Sequence, residues 1–137
     1  MAYNARKISP LDLRPSTGVG VSIPFSTSNV FNTVYSTKDQ TKYNLINFLL
    51  TDPRERPFSP NFGAGLRSFL FEQLETNTTD DLRTMLISQI ENNFPNVNIV
   101  SLVVSSDVNI GAINIEFSYN IRNTKESDEV LLTIQNV

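Results

Sequence analysis

From about residue 37 the apolar residues of this chain recur at helical spacing as far as Phe94-Pro95 and then fall on every second position towards the C-terminus. That change of period leaves few architectures open. A helix buries a stripe that repeats every ~3.6 residues, whereas a half-buried strand buries alternate residues. The spacing predicts a first helix over about 37–51, with Ser36 as cap and Asp39 three residues on as an aspartate variant of the capping box. Tyr43, Ile46, Leu49 and Leu50 form its stripe, widened by Leu45 and Phe48. Thr51-Asp52-Pro53 ends it, because a residue before proline avoids the α region. A second helix over about 64–75 directs Leu66, Phe69, Leu70 and Leu74 inward, with Phe71 off the stripe. A third, over about 79–93, starts from Thr78 and Asp81 and is lined by Leu82, Met85, Leu86 and Ile90.

Beyond the switch, residues 99–105 read as a strand with Val100, Leu102 and Val104 on one face. Ile113, Ile115, Phe117, Tyr119 and Ile121 alternate with Asn114, Glu116, Ser118 and Asn120, the strongest strand pattern in the chain. Val130, Leu132 and Ile134 form a last strand, with Leu131 on its other face. Asp107, Asn109 and Gly111 supply turn chemistry between the first two strands, and a charged loop over 122–128 precedes the last. Short connections favour an antiparallel meander with one side packed on helices. The fold class is therefore α+β: about three helices followed by a three-stranded antiparallel meander. An added N-terminal strand from Val19, Val21 and Ile23 is an option. Residues 1–35 read as an extended N-terminal arm, ordered or not, ahead of a single α+β domain over 36–137.

Composition then removes whole classes of function. The chain contains neither cysteine nor histidine, which excludes disulfides, the usual zinc sites and the Ser-His and Cys-His nucleophile systems. No cofactor or metal is expected. The net charge is −3 and the basic residues are dispersed, whereas nucleic-acid binding requires a concentrated positive field. No apolar run is long enough for a membrane span, and Met1 to Lys7 carries no apolar segment of a signal peptide.

The stretch Arg54-Glu55-Arg56-Pro57-Phe58-Ser59-Pro60-Asn61-Phe62-Gly63-Ala64-Gly65-Leu66-Arg67 reads as a recognition surface. Pro53, Pro57 and Pro60 each fix a φ angle and stiffen the loop, which lowers the ordering cost of binding. Phe58 and Phe62 are candidates to anchor it in the core. Gly63 and Gly65 allow positive φ or close approach of another backbone. In an extended segment Arg54 and Arg56 point to one side and Glu55 to the other. The competing interpretation is an ordinary surface loop with solvated charges.

This stretch, with Leu70-Phe71-Glu72 after it, resembles the small baseplate wedge subunit family of contractile-tailed phages, which includes a related type VI secretion component. The matching positions are Glu55, Arg56, Pro57, Phe58, Pro60, Phe62, Gly63 and Gly65; Arg54 stands where many members have glycine. The resemblance implies a structural subunit of the virion tail baseplate, assembled in the host cytoplasm. Its partners would be other wedge proteins and the tail sheath protein, and it would template the first sheath ring by strand pairing. Neither nucleic acid, membrane nor small-molecule substrate is expected as a partner. Arg54, Glu55, Arg56 and Arg67 are the expected partner contacts in the loop, and Pro53, Pro57, Phe58, Pro60, Phe62, Gly63 and Gly65 its shaping residues. The final strand, with Val130, Leu131, Leu132, Thr133 and Ile134, is the second expected partner contact. At an edge, its unpaired N–H and C=O groups would accept another strand, with Lys125, Glu126, Asp128 and Glu129 guarding against wrong pairing.

Because members of this family have been labelled lysozyme-like, a peptidoglycan hydrolase is the alternative. That chemistry needs two carboxylates at a set separation, one held in an apolar setting. Asp52, Glu55, Glu72, Glu75, Asp80 and Asp81 are the candidates, and none of their sequence settings supplies the contrast between two acids. The expectation is that the chain is not an enzyme.

Overall fold

The computed structural model describes residues 10–23, 32–70, 76–122, 124 and 126–135. Three helices are followed by a three-stranded antiparallel sheet, as the change of period requires. The helices are α1 (Thr37–Leu50), α2 (Leu66–Leu70) and α3 (Thr76–Asn93). Residues 1 to 9, Phe71, Leu74 and Lys125 lie outside the described residues, so the far half of the expected second helix does too. Two short strands, β1 (Gly20–Val21) and β2 (Thr33–Val34), precede the helices, and β3 (Val97–Asp107), β4 (Ala112–Ile121) and β5 (Ser127–Gln135) follow them.

The sheet order is β3-β4-β5. α3 lies against β3 and α1 against β5, so the helices cover one face. Ile113, Ile115, Phe117 and Tyr119 of β4 are fully buried there with Leu82, Leu86 and Ile90 of α3. In α1 the buried centre is Leu45, Phe48 and Leu49, while Leu50, expected on the stripe, is 41% exposed. The i, i+3, i+4 set around Phe48 won because the Phe48 ring meets Phe62 and Phe94 edge-on, at centroid distances of 5.1 and 5.5 Å.

One face assignment fails. Val100 was expected beside Leu102 and Val104, yet it is 62% exposed. The register runs Ile99↔Tyr119 and then Ser101↔Ser118, so Val100 is an extra, bulged residue. A bulge inverts the inside–outside phase along its strand. Val97 and Ile99 therefore face the core on one side of it, and Leu102 and Val104 on the other.

The N-terminal strand forms but does not join the meander. β1 pairs antiparallel with β2, Gly20 opposite Val34, as a separate two-stranded sheet beside α1. The stretch expected to be an extended arm contains a 3₁₀ turn at Pro10–Leu13. Asp12 from that turn, not Ser36, caps α1: its carboxylate accepts from the Thr37 N–H at 2.8 Å and the Thr37 hydroxyl at 2.6 Å. Ser36 makes no side-chain cap bond. A carboxylate at a helix N-terminus satisfies an orphan donor and complements the helix dipole.

Candidate functional site

The loop between α1 and α2 is built from three consecutive proline turns. Glu55 N–H donates to Asp52 O (3.2 Å), Ser59 N–H to Arg56 O (3.2 Å) and Phe62 N–H to Ser59 O (3.0 Å). In each four-residue turn the second position is a proline: Pro53, Pro57 or Pro60. Proline is preset for that position. Across the loop, Arg54 N–H donates to Pro60 O at 2.8 Å. The segment around Glu55 is thus folded, not extended as expected. Arg54 has φ +73°, the non-glycine residue with positive φ among the described residues. It sits third in the first turn, where a type II turn demands positive φ and favours glycine.

The return limb ties the loop to the end of α1. Ala64 N–H donates to Phe48 O (3.1 Å) and Gly65 N–H to Thr51 O (3.5 Å), so carbonyls left without helical partners are satisfied by the loop. Gly63 makes this approach possible. At φ +125° a Cβ there would lie 2.5 Å from Thr51 O and 2.9 Å from the Asp52 carbonyl carbon. Gly65 has φ +66°.

The two phenylalanines divide their roles. Phe62 anchors the loop, edge-on against buried Phe48. Phe58, expected to be a second anchor, is 99% exposed. It occupies the third position of the middle turn, at the tip, where a tight turn cannot also fold its side chain back to the core.

Three of the four loop residues expected to meet a partner engage their own chain. Glu55 Oε2 accepts from the Asp52 N–H at 3.1 Å. The Arg56 guanidinium lies 4.0 Å from the centroid of the Phe62 ring, a cation–π contact. Arg67 pairs with Asp52 at 3.6 Å across exposed surface, an attraction weakened by solvent. Arg54, Glu55, Arg56 and Arg67 are all exposed.

The last strand, β5, lies at an edge of the sheet. Val130 is buried, Leu132 and Ile134 are half-buried on the same face, and Leu131 is 70% exposed on the other. Thr133 also faces out, donating its hydroxyl to Asn114 Oδ1 of β4 at 2.8 Å. Leu131 stands in line with Glu116 and Val103 across the three strands. Asp128, expected to guard the edge, is drawn to Lys42 of α1 at 3.5 Å.

Tyr119 opposes Asp128 in the β4–β5 pairing. Its ring is buried and stacks on Phe117, and its hydroxyl has no hydrogen-bond partner. Burial, and then the charges of Asp128 and Asp39, push the phenol well above its ordinary pKa of 10.0.

Of the carboxylates considered for hydrolysis, Glu55, Asp80 and Asp81 are exposed, and Glu72 and Glu75 lie outside the described residues. Asp52 pairs with Arg67. Among the described residues, no group of three or more acidic side chains is placed to hold a metal ion. No described helix is long and apolar enough to cross a membrane.

The family model described as baseplate wedge protein gp25 matches residues 31–126. That span contains the whole loop and stops just short of β5. Among solved structures, one of a Geobacter sulfurreducens protein assigned as a tail lysozyme is similar with a TM-score of 0.66 and 19% identity. The match covers 74% of this chain and 93% of that one. A chain in the cryo-EM structure of the anti-feeding prophage baseplate is similar with a TM-score of 0.54 and 14% identity, over 85% of each chain. At such identities these likenesses speak for the fold. No curated protein matches the sequence.

Proposed function

The chain belongs to the gp25 baseplate wedge family, structural components of contractile tail baseplates, and from that premise we propose that it joins other wedge proteins and templates the first sheath ring. The observation that carries the reading is the match over residues 31–126, with the turn-built loop inside it. The loop is the wedge-facing surface, with Arg54, Glu55 and Arg56 exposed within it, Arg67 exposed just after it, and the three proline turns fixing its shape. β5 is the sheath-facing surface. Its outer edge offers a row of backbone donors and acceptors, and residues 130–134 give that edge its alternating side chains. Assembly takes place in the host cytoplasm and ends in the tail baseplate.

The tail lysozyme likeness favours one other reading, hydrolysis of peptidoglycan. A retaining or inverting glycosidase needs one carboxyl group shielded in an apolar setting. The exposed positions of Glu55, Asp80 and Asp81 count against that role. Co-expression with candidate wedge and sheath proteins of the same particle, followed by size and composition measurement, tests the proposal. A soluble complex and no sugar released from peptidoglycan are expected. A chain that stays alone with every candidate, or that releases sugar, overturns it.

A further inference from the structure

We infer that Phe58 is the knob by which the loop docks, and that its receptor is a protein pocket with an apolar floor and an acidic rim. The inference rests on the baseplate reading above. It shifts the centre of the interface from Glu55 and Arg56 to a residue expected to serve only the loop's own shape.

Phe58 is 99% exposed at the tip of a loop that is otherwise fully tied down. Each neighbouring turn is closed by a backbone hydrogen bond, Arg54 and Pro60 are bonded across the loop, and Phe62 and Ala64 fasten the return limb to α1. A phenylalanine carried into water on so fixed a backbone gains nothing for the isolated fold. It costs little conformational entropy when a partner covers it. Aromatic and arginine side chains in a desolvated centre carry most of the energy of protein interfaces.

The charges around the ring select the partner. Asp52 and Glu55, the acids of the loop, turn to Arg67 and to the Asp52 N–H. Arg54 and Arg56 remain exposed, with the Arg56 guanidinium 4.0 Å from the centroid of the Phe62 ring. In a chain of net charge −3, Arg54, Arg56 and Arg67 outnumber Asp52 and Glu55 over residues 52–67, so the loop that carries this apolar tip is locally positive. Its complement is an apolar pocket rimmed by carboxylates or carbonyl groups. A single ring offers only shallow purchase on a lipid surface, and the overall negative charge opposes an anionic one, so a protein receptor is favoured over a membrane.

The test compares wild type, Phe58→Ala, Phe58→Leu and Arg54→Ala for binding to the purified wedge proteins of the same particle, with thermal melts of each variant. Phe58→Ala is expected to melt like wild type and to bind at least about tenfold more weakly. Phe58→Leu recovers part of the loss, and rising salt or Arg54→Ala weakens binding further. If Phe58→Ala binds within about twofold of wild type, the inference fails and the baseplate reading stands. If wild type binds no wedge protein, that reading fails and the inference with it. Phe58-dependent binding to phosphatidylglycerol vesicles, with protein binding unchanged, also overturns it.

Discussion

Arg54→Gly should stabilise this protein, although it deletes a long side chain. Arg54 holds φ +73° at the third position of the Asp52–Glu55 turn. For an L-residue the left-handed conformation costs about 1–2 kcal/mol, which glycine avoids. Glycine also loosens the unfolded chain, which gives back about 0.5–1 kcal/mol. The side chain itself is exposed, and removing such a group usually changes stability by no more than about 0.5 kcal/mol. The two bonds that define the corner, Glu55 N–H to Asp52 O and Arg54 N–H to Pro60 O, need only the backbone. The balance is a gain of roughly 0.5–1 kcal/mol, or a rise of about 2–4 °C in melting temperature for a chain of this size. Urea and thermal unfolding of wild type, Arg54→Gly and Arg54→Ala measure it. Arg54→Ala keeps the Cβ at positive φ and should lie close to wild type, so the glycine–alanine difference isolates the backbone term. If Arg54→Gly is no more stable than Arg54→Ala, the left-handed corner does not carry the strain ascribed to it.

Gly63→Ala sets a Cβ 2.5 Å from Thr51 O at φ +125°; a loss of about 2–3 kcal/mol is expected in urea unfolding. Asp12→Ala removes both bonds to Thr37, costs about 1 kcal/mol, and speeds amide exchange in the first turn of α1. Tyr119→Phe removes a buried hydroxyl without a partner and should be neutral or stabilising by up to about 1 kcal/mol at neutral pH. Its effect grows in alkali. The folded pKa lies above the ordinary 10.0, so above that pH the unfolded chain gives up a proton that the folded chain keeps, and stability falls as pH rises. Unfolding midpoints on either side of pH ~10 should diverge less in Tyr119→Phe than in wild type.

The elements governed by a repeating constraint were legible in the sequence. Alternation along Ile113 to Ile121 marks the central strand because one face of a meander is buried along its whole length. Leu82, Leu86 and Ile90 mark α3 in the same way. What depended on a single residue's tertiary setting was not. The bulge at Val100 changes no composition and shows only in the pairing. Asp12 caps a helix that begins 25 residues later, beyond any local capping pattern. Phe58 and Phe62 are the same residue type four positions apart, and turn geometry alone decides which lies inside. The glycine seen at position 54 in many family members was the one hint of positive φ there. Nothing local signalled that Glu55 and Arg56 would be engaged by the Asp52 amide and the Phe62 ring.

If the loop over residues 52–62 docks within a baseplate, a neighbouring chain has to meet it there. A cryo-EM reconstruction of the intact particle carrying this chain tests it most directly. A neighbouring chain should cover Phe58 and approach Arg54 and Arg56 with acidic or carbonyl groups. A reconstruction with Phe58 facing open solvent and no chain near the loop would contradict it.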